Sequence, residues 1–463
     1  MTSLANPPIS APSVSAPNAD GPERLSFFDI MPKIRRDPLR FFTETANAYP
    51  RMVELNLGLD KVLMLNDPAY LKHVSQDNWR NYRKSKFYGA LKPILGDGIF
   101  LAESDEWVTQ RRLSGMKFQG GDLRQMAIDM SAITGRLVER WKDLGPNGRI
   151  DVTTEMAQVT LEIVLKCLFN VDAGGRQADI YWALTTYLRE AEKKVWNPVT
   201  LPDWAPTKAK RDCRRALHIL DDFVHDIIAE RRASGESRND LLQLLVDAYG
   251  DPAENGVSPT LLRDQVLSFI LAGHETSANA LSWAFCLLSQ HPEAARHLTE
   301  EVTQALDGRS AVISDFPNLR YTKMVLDEAL RLYPPVWTIS RTAVEDDEIG
   351  NFEVKKGTNV MLCAYAVHRE ARLWPDPERF DPTRFDTERH KAPEPYAYFP
   401  FGAGVRSCLG SRFAVMEALI ILASIAGEFS LHLAPGQVVE PEPMITLRPR
   451  GQVFMDLERV RGA

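Results

Sequence analysis

The sequence of 463 residues lacks the features that define several large classes of protein. It contains no run of about 18 apolar residues, so we predict no membrane-spanning helix and no membrane anchor. Residues 1–22 have neither the basic start nor the apolar core of a secretion signal, and their Pro, Ser and Ala content predicts a disordered leader. The net charge of −7 argues against a general nucleic-acid binder.

Cysteine is also scarce. The five cysteines are widely spaced and form no CxxC pair, which argues against a disulfide framework or a zinc site and predicts a reducing, cytoplasmic location. Four of them are expected to be small buried residues. Cys408 differs, because it lies in the glycine-rich stretch FPFGAGVRSCLG (residues 399–410) and an apolar run follows it. A helix that begins there would place its N-terminus close to the thiol.

Hydrophobic patterning predicts one mostly helical domain over residues 23–463, with no internal repeat. Alternating apolar and polar residues on both sides of a Gly-Leu-Asp turn predict a hairpin over 51–67. Helices are predicted at 105–117, 152–170, 206–233 and 320–333, and strands near 336–344 and 358–363.

The clearest helix is predicted to begin at Ser258–Pro259 and to end at Gln290, a length of about 48 Å at ~1.5 Å per residue. Its flanks are apolar, but its middle reads GHETS, residues 273–277. A glycine in a helix interior costs roughly 1 kcal/mol, and a buried carboxylate is unfavourable without a partner. This midpoint therefore predicts a functional site; the alternative is a helix that reaches the surface there.

Two charged motifs flank this helix in the sequence. Glu328 and Arg331 are three residues apart and share one helix face, where Arg379 could join them in a buried charge network. Trp107 and Arg111 are four residues apart on another predicted helix.

Together these motifs resemble those of the cytochrome P-450 family of haem-thiolate monooxygenases, of the bacterial soluble type. The family's cysteine signature is complete here at Phe401, Gly404, Arg406, Cys408 and Gly410, and its ExxR pair matches Glu328 and Arg331. The WxxxR motif and the oxygen-binding helix motif are also present, the latter as Ala272, Gly273, Glu275, Thr276 and Ser277. The stretch AGHET resembles the haem domain of bacterial fatty-acid hydroxylases.

The resemblance implies a mainly α fold with small β-sheets, in which a triangular helical domain surrounds a buried haem b (iron protoporphyrin IX). It implies that Cys408 is the iron ligand. Other residues expected to hold the cofactor or its propionates are Trp107, Arg111, Arg341, Phe401, Arg406, Gly410 and Ala272. His368 is a further candidate, beside the alternative of a packed histidine.

The resemblance also implies that Glu275 and Thr276 form an acid–alcohol pair that delivers protons to bound dioxygen. Gly273 is expected to let the helix open locally to admit oxygen. Substrate-facing positions are matched by Phe100, Ala272, Val336, Trp337, Thr338 and Ile445, with core packing as the alternative for each.

The expected function is insertion of one atom of O2 into an apolar substrate, such as a fatty acid, terpenoid or steroid-like molecule. Electrons are expected from NAD(P)H through a ferredoxin or flavodoxin and its reductase, and the chain is expected to be a monomer that binds no nucleic acid. Two alternatives stay open. One is non-hydroxylating chemistry, such as that of a peroxygenase or isomerase; the other is a non-catalytic haem-binding sensor.

Overall fold

A computed structural model of the protein describes residues 22–58, 60–145, 148–196, 201–202, 204–250, 258 and 260–460. Apart from Pro22, the predicted leader lies outside the described residues. The α-helices within them are α1 Phe27–Arg36, α2 Pro38–Ala48, α3 Pro68–Lys72, α4 Lys92–Leu95, α5 Ser104–Gly115, α6 Gly120–Lys142, α7 Val152–Phe169, α8 Gln177–Trp196, α9 Lys208–Ser234, α10 Leu241–Tyr249, α11 Leu261–Gln290, α12 Pro292–Leu306, α13 Arg320–Leu332, α14 Ala364–Val367 and α15 Ser411–Ala426.

The strands of the described residues are short. They are β1 Glu23–Leu25, β2 Met52–Asn56, β3 Lys61–Leu65, β4 Tyr82–Lys84, β5 Arg149–Asp151, β6 Thr338–Ala343, β7 Asp347–Ile349, β8 Phe352–Val354, β9 Asn359–Cys363, β10 Phe429–Leu433, β11 Pro441–Pro443, β12 Leu447–Pro449 and β13 Phe454–Arg459.

In the part of the chain that the structure describes, one larger sheet and three small ones accompany the helices. The larger sheet has the order β1-β2-β3-β9-β6-β4, and the small sheets are β10-β13-β5, β11-β12 and β7-β8. The predicted hairpin is the antiparallel pair β2–β3, and the two later predicted strands are β6 and β9, which pair with each other. The structure confirms the mainly α fold with small sheets.

The four predicted helices correspond to α5, α7, α9 and α13, with ends within a few residues of the predicted ones. The long helix α11 ends at Gln290 as predicted but begins at Leu261, later than Ser258; Pro259 lies outside the described residues. The Ser258 hydroxyl instead accepts from the backbone N–H of Thr260, which precedes the helix. At ~1.5 Å per residue, its 30 residues span about 45 Å.

Helix α11 is the central element of the main core. Both of its apolar flanks are buried, so the helix is apolar on nearly all sides, as expected for a helix enclosed by others. It packs closely against α7, where a Cβ added at Gly273 would lie 2.9 Å from Val164 Cγ2. Gly273 therefore permits close helix packing, and the helix is continuous there. Local opening at Gly273 to admit oxygen stays a prediction.

None of the described helices is long and apolar enough to cross a lipid bilayer.

Candidate active site

The Cys408 loop, residues 399–410, lies directly before α15. It contains the short 3₁₀ turn Gly404–Arg406, and the backbone N–H of Cys408 donates to the Phe401 carbonyl at 2.8 Å. Gly404 has φ +65°, and a Cβ there would lie 2.0 Å from the Ser75 carbonyl oxygen. Only glycine allows residue 404 to lie this close to the backbone of Ser75. The loop therefore holds the cysteine backbone in one position.

The electrostatic setting of the Cys408 thiol combines opposing effects. Burial by the surrounding protein raises its pKa, whereas the Gly410 backbone N–H and the Arg111 guanidinium lower it. The side chain is nevertheless exposed, whereas Cys167, Cys286 and Cys363 are buried. Enclosure by protein together with an open surface indicates that Cys408 faces an internal cavity.

The middle of α11 is also open, although its surroundings are enclosed. Ala272 is exposed, and Gly273, Glu275 and Thr276 are half-buried, although the helix on both sides of them is buried. Helix α11 and the Cys408 loop thus each present an open surface within the enclosed part of the molecule. A flat group could be enclosed between two such surfaces.

A cluster of cations lies next to the Cys408 loop. The Trp107 ring is contacted by two guanidinium groups, that of Arg111 at 5.3 Å and that of Arg406 at 4.5 Å from the ring centroid. Arg341 lies on β6 opposite Lys84 of β4. The structure therefore brings Arg341 and Arg406 together with Trp107 and Arg111 from three distant segments of the sequence, and adds Lys84.

The cluster has little balancing negative charge. Arg406 pairs with Glu103, the Arg406 Nε is buried without a partner, and burial with repulsion from Arg341 and Arg111 lowers the pKa of Arg406 to about 10. Burial and the charges of Arg341 and Arg406 lower the pKa of Lys84 to about 7. Four cations around one carboxylate favour an anionic ligand.

These observations test the fit of haem to the chain. Its two carboxylates match the excess of half-buried cations, and its iron needs a soft ligand, which the exposed Cys408 sulfur would supply as a thiolate. The residues present therefore fit the group. Cys408 would hold the iron, and Arg341, Arg406 and Arg111 would hold the propionates, with Lys84 as an added donor.

The network around Glu328 differs from the prediction in one residue. Glu328 and Arg331 are fully buried and joined by two bonds, Arg331 Nε to Oε2 at 2.7 Å and Nη2 to Oε1 at 2.8 Å. The third member of the network is Arg384, whose Nε lies 3.3 Å from Glu328 Oε1. Arg379 was predicted for this role, but its side chain is exposed and only its carbonyl contacts Arg331.

The local backbone explains this correction. Arg379 closes a turn by donating its N–H to the Asp376 carbonyl, which leaves its side chain outward. The 3₁₀ turn Pro382–Phe385, which the Asp381 side chain caps, carries Arg384 back towards Glu328. His368, a further propionate candidate, lies beside the Glu328 network. It is fully buried, and its Nε2 accepts from the backbone N–H of Phe399 at 2.9 Å.

Thr276 and Glu275 are each held by one hydrogen bond. The Thr276 hydroxyl donates to the Ala272 carbonyl at 2.8 Å, so its oxygen can only accept a further bond. Glu275 Oε1 accepts from the Thr446 hydroxyl at 2.8 Å. Burial raises the pKa of Glu275, and the Thr446 bond and the Arg448 charge oppose the shift.

The predicted substrate-facing residues separate into two groups. Phe100, Thr338 and Ile445 are half-buried, and Val336 and Ala272 are exposed. Trp337 is instead a core residue: it is 3% exposed, packs on Phe42, and donates from Nε1 to the Met444 carbonyl. Because the Trp337 indole N–H bonds to a carbonyl in the core, Trp337 is not a pocket residue, and that prediction is wrong.

Sequence reasoning missed Lys84, Glu103, Arg384 and Thr446. Lys84 and Arg384 stand in ordinary charged surroundings in the sequence, and each reaches the site through a pairing with a distant segment. Thr446 had one available signal, since it follows Ile445, a predicted pocket residue.

The fold and this site define a haem-thiolate protein. The sequence model of the cytochrome P-450 family matches residues 20–454, so the chain belongs to that family. It binds haem and is a monooxygenase of the type found in bacteria.

Three relatives with assigned names cover most of the chain. It is 34% identical to cyclooctatin synthase of Streptomyces melanosporofaciens over 415 residues, which make up 89% of each chain. It is 31% identical over 402 residues to cyclooctat-9-en-7-ol 5-monooxygenase of the same organism, covering 87% of this chain and 86% of that one. It is 30% identical over 416 residues to pentalenene oxygenase of Streptomyces avermitilis, covering 90% and 91%.

Proposed function

We propose that Cys408 is the iron ligand of this monooxygenase and that the cavity before it takes an apolar, alkene-bearing substrate of the terpenoid class. The observation that carries the ligand assignment is the exposed Cys408 thiol held before α15; burial raises the pKa of this thiol, and the Gly410 N–H and the Arg111 charge oppose that rise. When bound, haem supplies the iron that binds and activates dioxygen. Residues 23–463 act as one domain in this proposal.

The chain's own residues hold and move protons. The Thr276 oxygen, whose proton is committed to the Ala272 carbonyl, acts as a hydrogen-bond acceptor in the cavity. Glu275 has a raised pKa, so it holds a proton more readily than an exposed glutamate and gives it to water in the cavity. An enzyme with this pair uses O2 directly, which separates it from a peroxygenase.

The substrate class rests on two supports. The half-buried pocket candidates are the aromatic and aliphatic side chains of Phe100 and Ile445 together with Thr338. The names pentalenene and cyclooctat-9-en-7-ol, which belong to the relatives' substrates, designate an alkene and an alkenol. An apolar wall and such relatives favour a terpenoid over a fatty acid or a steroid.

The electron donor in this proposal is a ferredoxin or flavodoxin with its reductase, and the chain works as a monomer. Arg112 and Arg412 are exposed near the Cys408 loop and offer positive charge to an acidic partner. A cytoplasmic location stays a prediction.

Two experiments test this function. Reduced holoprotein under carbon monoxide should absorb as a thiolate-ligated haem; Cys408→Ala should abolish the band, and the buried control Cys363→Ala should keep it. Terpenes, fatty acids and steroids should then be titrated while the Soret band is followed. A shift confined to fatty acids or steroids contradicts the substrate class, and bound haem without turnover of any binder indicates a sensor.

A further inference from the structure

The turn between β11 and β12 reaches the middle of α11. It carries Thr446, which is 7% exposed, and the Thr446 hydroxyl lies 2.8 Å from Glu275 Oε1. We propose that Thr446 is a positioning residue for the reaction: it holds the Glu275 carboxylate in the orientation from which that acid delivers protons. This inference rests on the proposed role of Glu275.

The direction of the Thr446 hydroxyl is determined by its neighbours. Asn279 Nδ2 donates to Thr446 Oγ1 at 3.2 Å, and Asn279 is itself 9% exposed. A hydroxyl has a single proton to donate, so the Thr446 proton is directed to Glu275 Oε1. Asn279 and Glu275 are four residues apart and therefore lie on one face of α11. The three groups form a chain from Asn279 through Thr446 to Glu275.

The turn that carries Thr446 is a rigid support. Its backbone is attached at three points: Trp337 Nε1 donates to the Met444 carbonyl at 2.8 Å, the Leu447 N–H donates to the Pro335 carbonyl at 2.8 Å, and Trp283 Nε1 donates to the Leu447 carbonyl at 3.4 Å. All three partners come from segments that pack around α11 or belong to it. A hydroxyl on so restrained a turn keeps its place, as precise positioning of an acid requires.

The turn also connects two parts of the site. Ile445, a candidate for contact with the substrate, directly precedes Thr446. Arg448 follows on β12, pairs with Glu442 at 2.8 Å, and lowers the pKa of Glu275 from a distance. The carboxylate is thus held by a hydrogen bond and favoured by a charge from the same hairpin.

Thr446→Val keeps the shape of the side chain and removes its hydroxyl, so the Glu275 carboxylate loses its donor. We expect product formed per reductant to fall roughly two- to ten-fold, the change of population that the loss of one hydrogen bond produces. Hydrogen peroxide should account for the reductant lost, and Thr446→Ser should restore product. The substrate-induced Soret shift should keep its midpoint.

The matched control is Thr322→Val. Thr322 is buried as well, and its hydroxyl donates to a glutamate, Glu301, at 2.7 Å, in a contact unrelated to the proposed site. Its removal should lower the unfolding temperature about as much as Thr446→Val and leave product per reductant unchanged. A parallel fall in both variants would mean that lost stability explains the effect, and would overturn the proposal.

A double-mutant cycle separates this inference from the role of Glu275. In a Glu275→Gln background, Thr446→Val should add no further loss, because the residue acts through Glu275. Additive losses would overturn the positioning role and leave Glu275 as the acid. Normal product per reductant in Glu275→Gln alone would instead refute the proposed function of Glu275.

Discussion

The Nε of Arg384 lies 3.3 Å from Oε1 of Glu328, inside a network that also holds Arg331. Glu328 further accepts from the backbone N–H of Asp381 at 2.9 Å. The network thus attaches the segment around residues 376–385 to α13, and its energy depends on every buried charge keeping a partner.

Substitutions in this network should lower the free energy of unfolding by different amounts. Arg331→Ala leaves the fully buried Glu328 without its main partner and should lower the free energy of unfolding by roughly 3–5 kcal/mol, with little holoprotein recovered. Arg384→Ala should cost less, because two donors to Glu328 remain. Arg379→Ala, the exposed control, should stay within about 0.5 kcal/mol of the wild type in urea unfolding. An Arg379 effect as large as that of Arg384 would contradict this order.

The contact of Thr276 with Ala272 leads to a prediction about coupling. Thr276→Ala removes the acceptor oxygen but not Glu275, so substrate binding and reductant consumption should continue. Two electrons and two protons should then more often leave with O2 as hydrogen peroxide. Product and peroxide per reductant are to be measured in Thr276→Ala and Thr276→Ser. Should the alanine variant lose stability yet remain fully coupled, the hydroxyl serves only to bond the Ala272 carbonyl.

The cation cluster predicts a loss of haem retention. Arg406→Ala removes a guanidinium from a site with four cations and one carboxylate, and a lost charge-assisted bond should speed haem transfer to apomyoglobin roughly 10- to 100-fold. Arg112→Ala, an exposed neighbour of Arg111, is the control and should transfer haem at the wild-type rate. Equal rates for the two variants would remove Arg406 from the propionate site.

Glu417 predicts a pH dependence of stability. The residue is fully buried on α15, and burial raises its pKa from 4.5 to about 8, with the Ser277 hydroxyl opposing the shift. The folded protein therefore holds a proton that the unfolded chain releases above about pH 4.5. The contribution of Glu417 to the stability of the folded protein is therefore complete below about pH 4.5 and is lost as pH rises through about 8.

Glu417→Gln places a neutral side chain of the same shape at this position. The wild type should lose stability relative to this variant between pH 5 and 8, by up to about 1.4 kcal/mol per pH unit. Urea unfolding of both holoproteins across this range measures the difference. A difference that does not change with pH would show that Glu417 ionises normally in the folded protein.

Electron transfer should depend on salt. The exposed Arg112 and Arg412 would steer an acidic donor, and exposed charges are screened over about 10 Å at 0.1 M ionic strength. Reduction by a ferredoxin should slow as salt increases, and the charge reversals Arg112→Glu and Arg412→Glu should weaken that dependence. The same salt slope in the wild type and both variants would place the docking surface elsewhere. Lys117 lies 3.9 Å from Asp122, so its charge is partly balanced and it contributes less to this steering.

The sequence alone determined the family, the haem and the ends of the five predicted helices to within a few residues, and it pointed to Cys408 as the proposed iron ligand. These depend on local order: the spacing of Phe401, Arg406 and Cys408, the glutamate and arginine three apart on one helix face, and the apolar flanks of α11. Such patterns can be recognised in the sequence because the residues of each motif lie within one loop or one helix turn.

Only the tertiary structure decided which distant residues meet. Lys84 joins Arg341 through the pairing of β4 with β6, Arg384 replaces Arg379 because a turn directs one side chain outward and the next one inward, and Trp337 leaves the pocket for the core. Thr446 reaches Glu275 across 171 residues of sequence. The physical reason is that a buried charge or hydroxyl takes the partner that packing brings within about 3 Å, and sequence spacing carries no record of that distance.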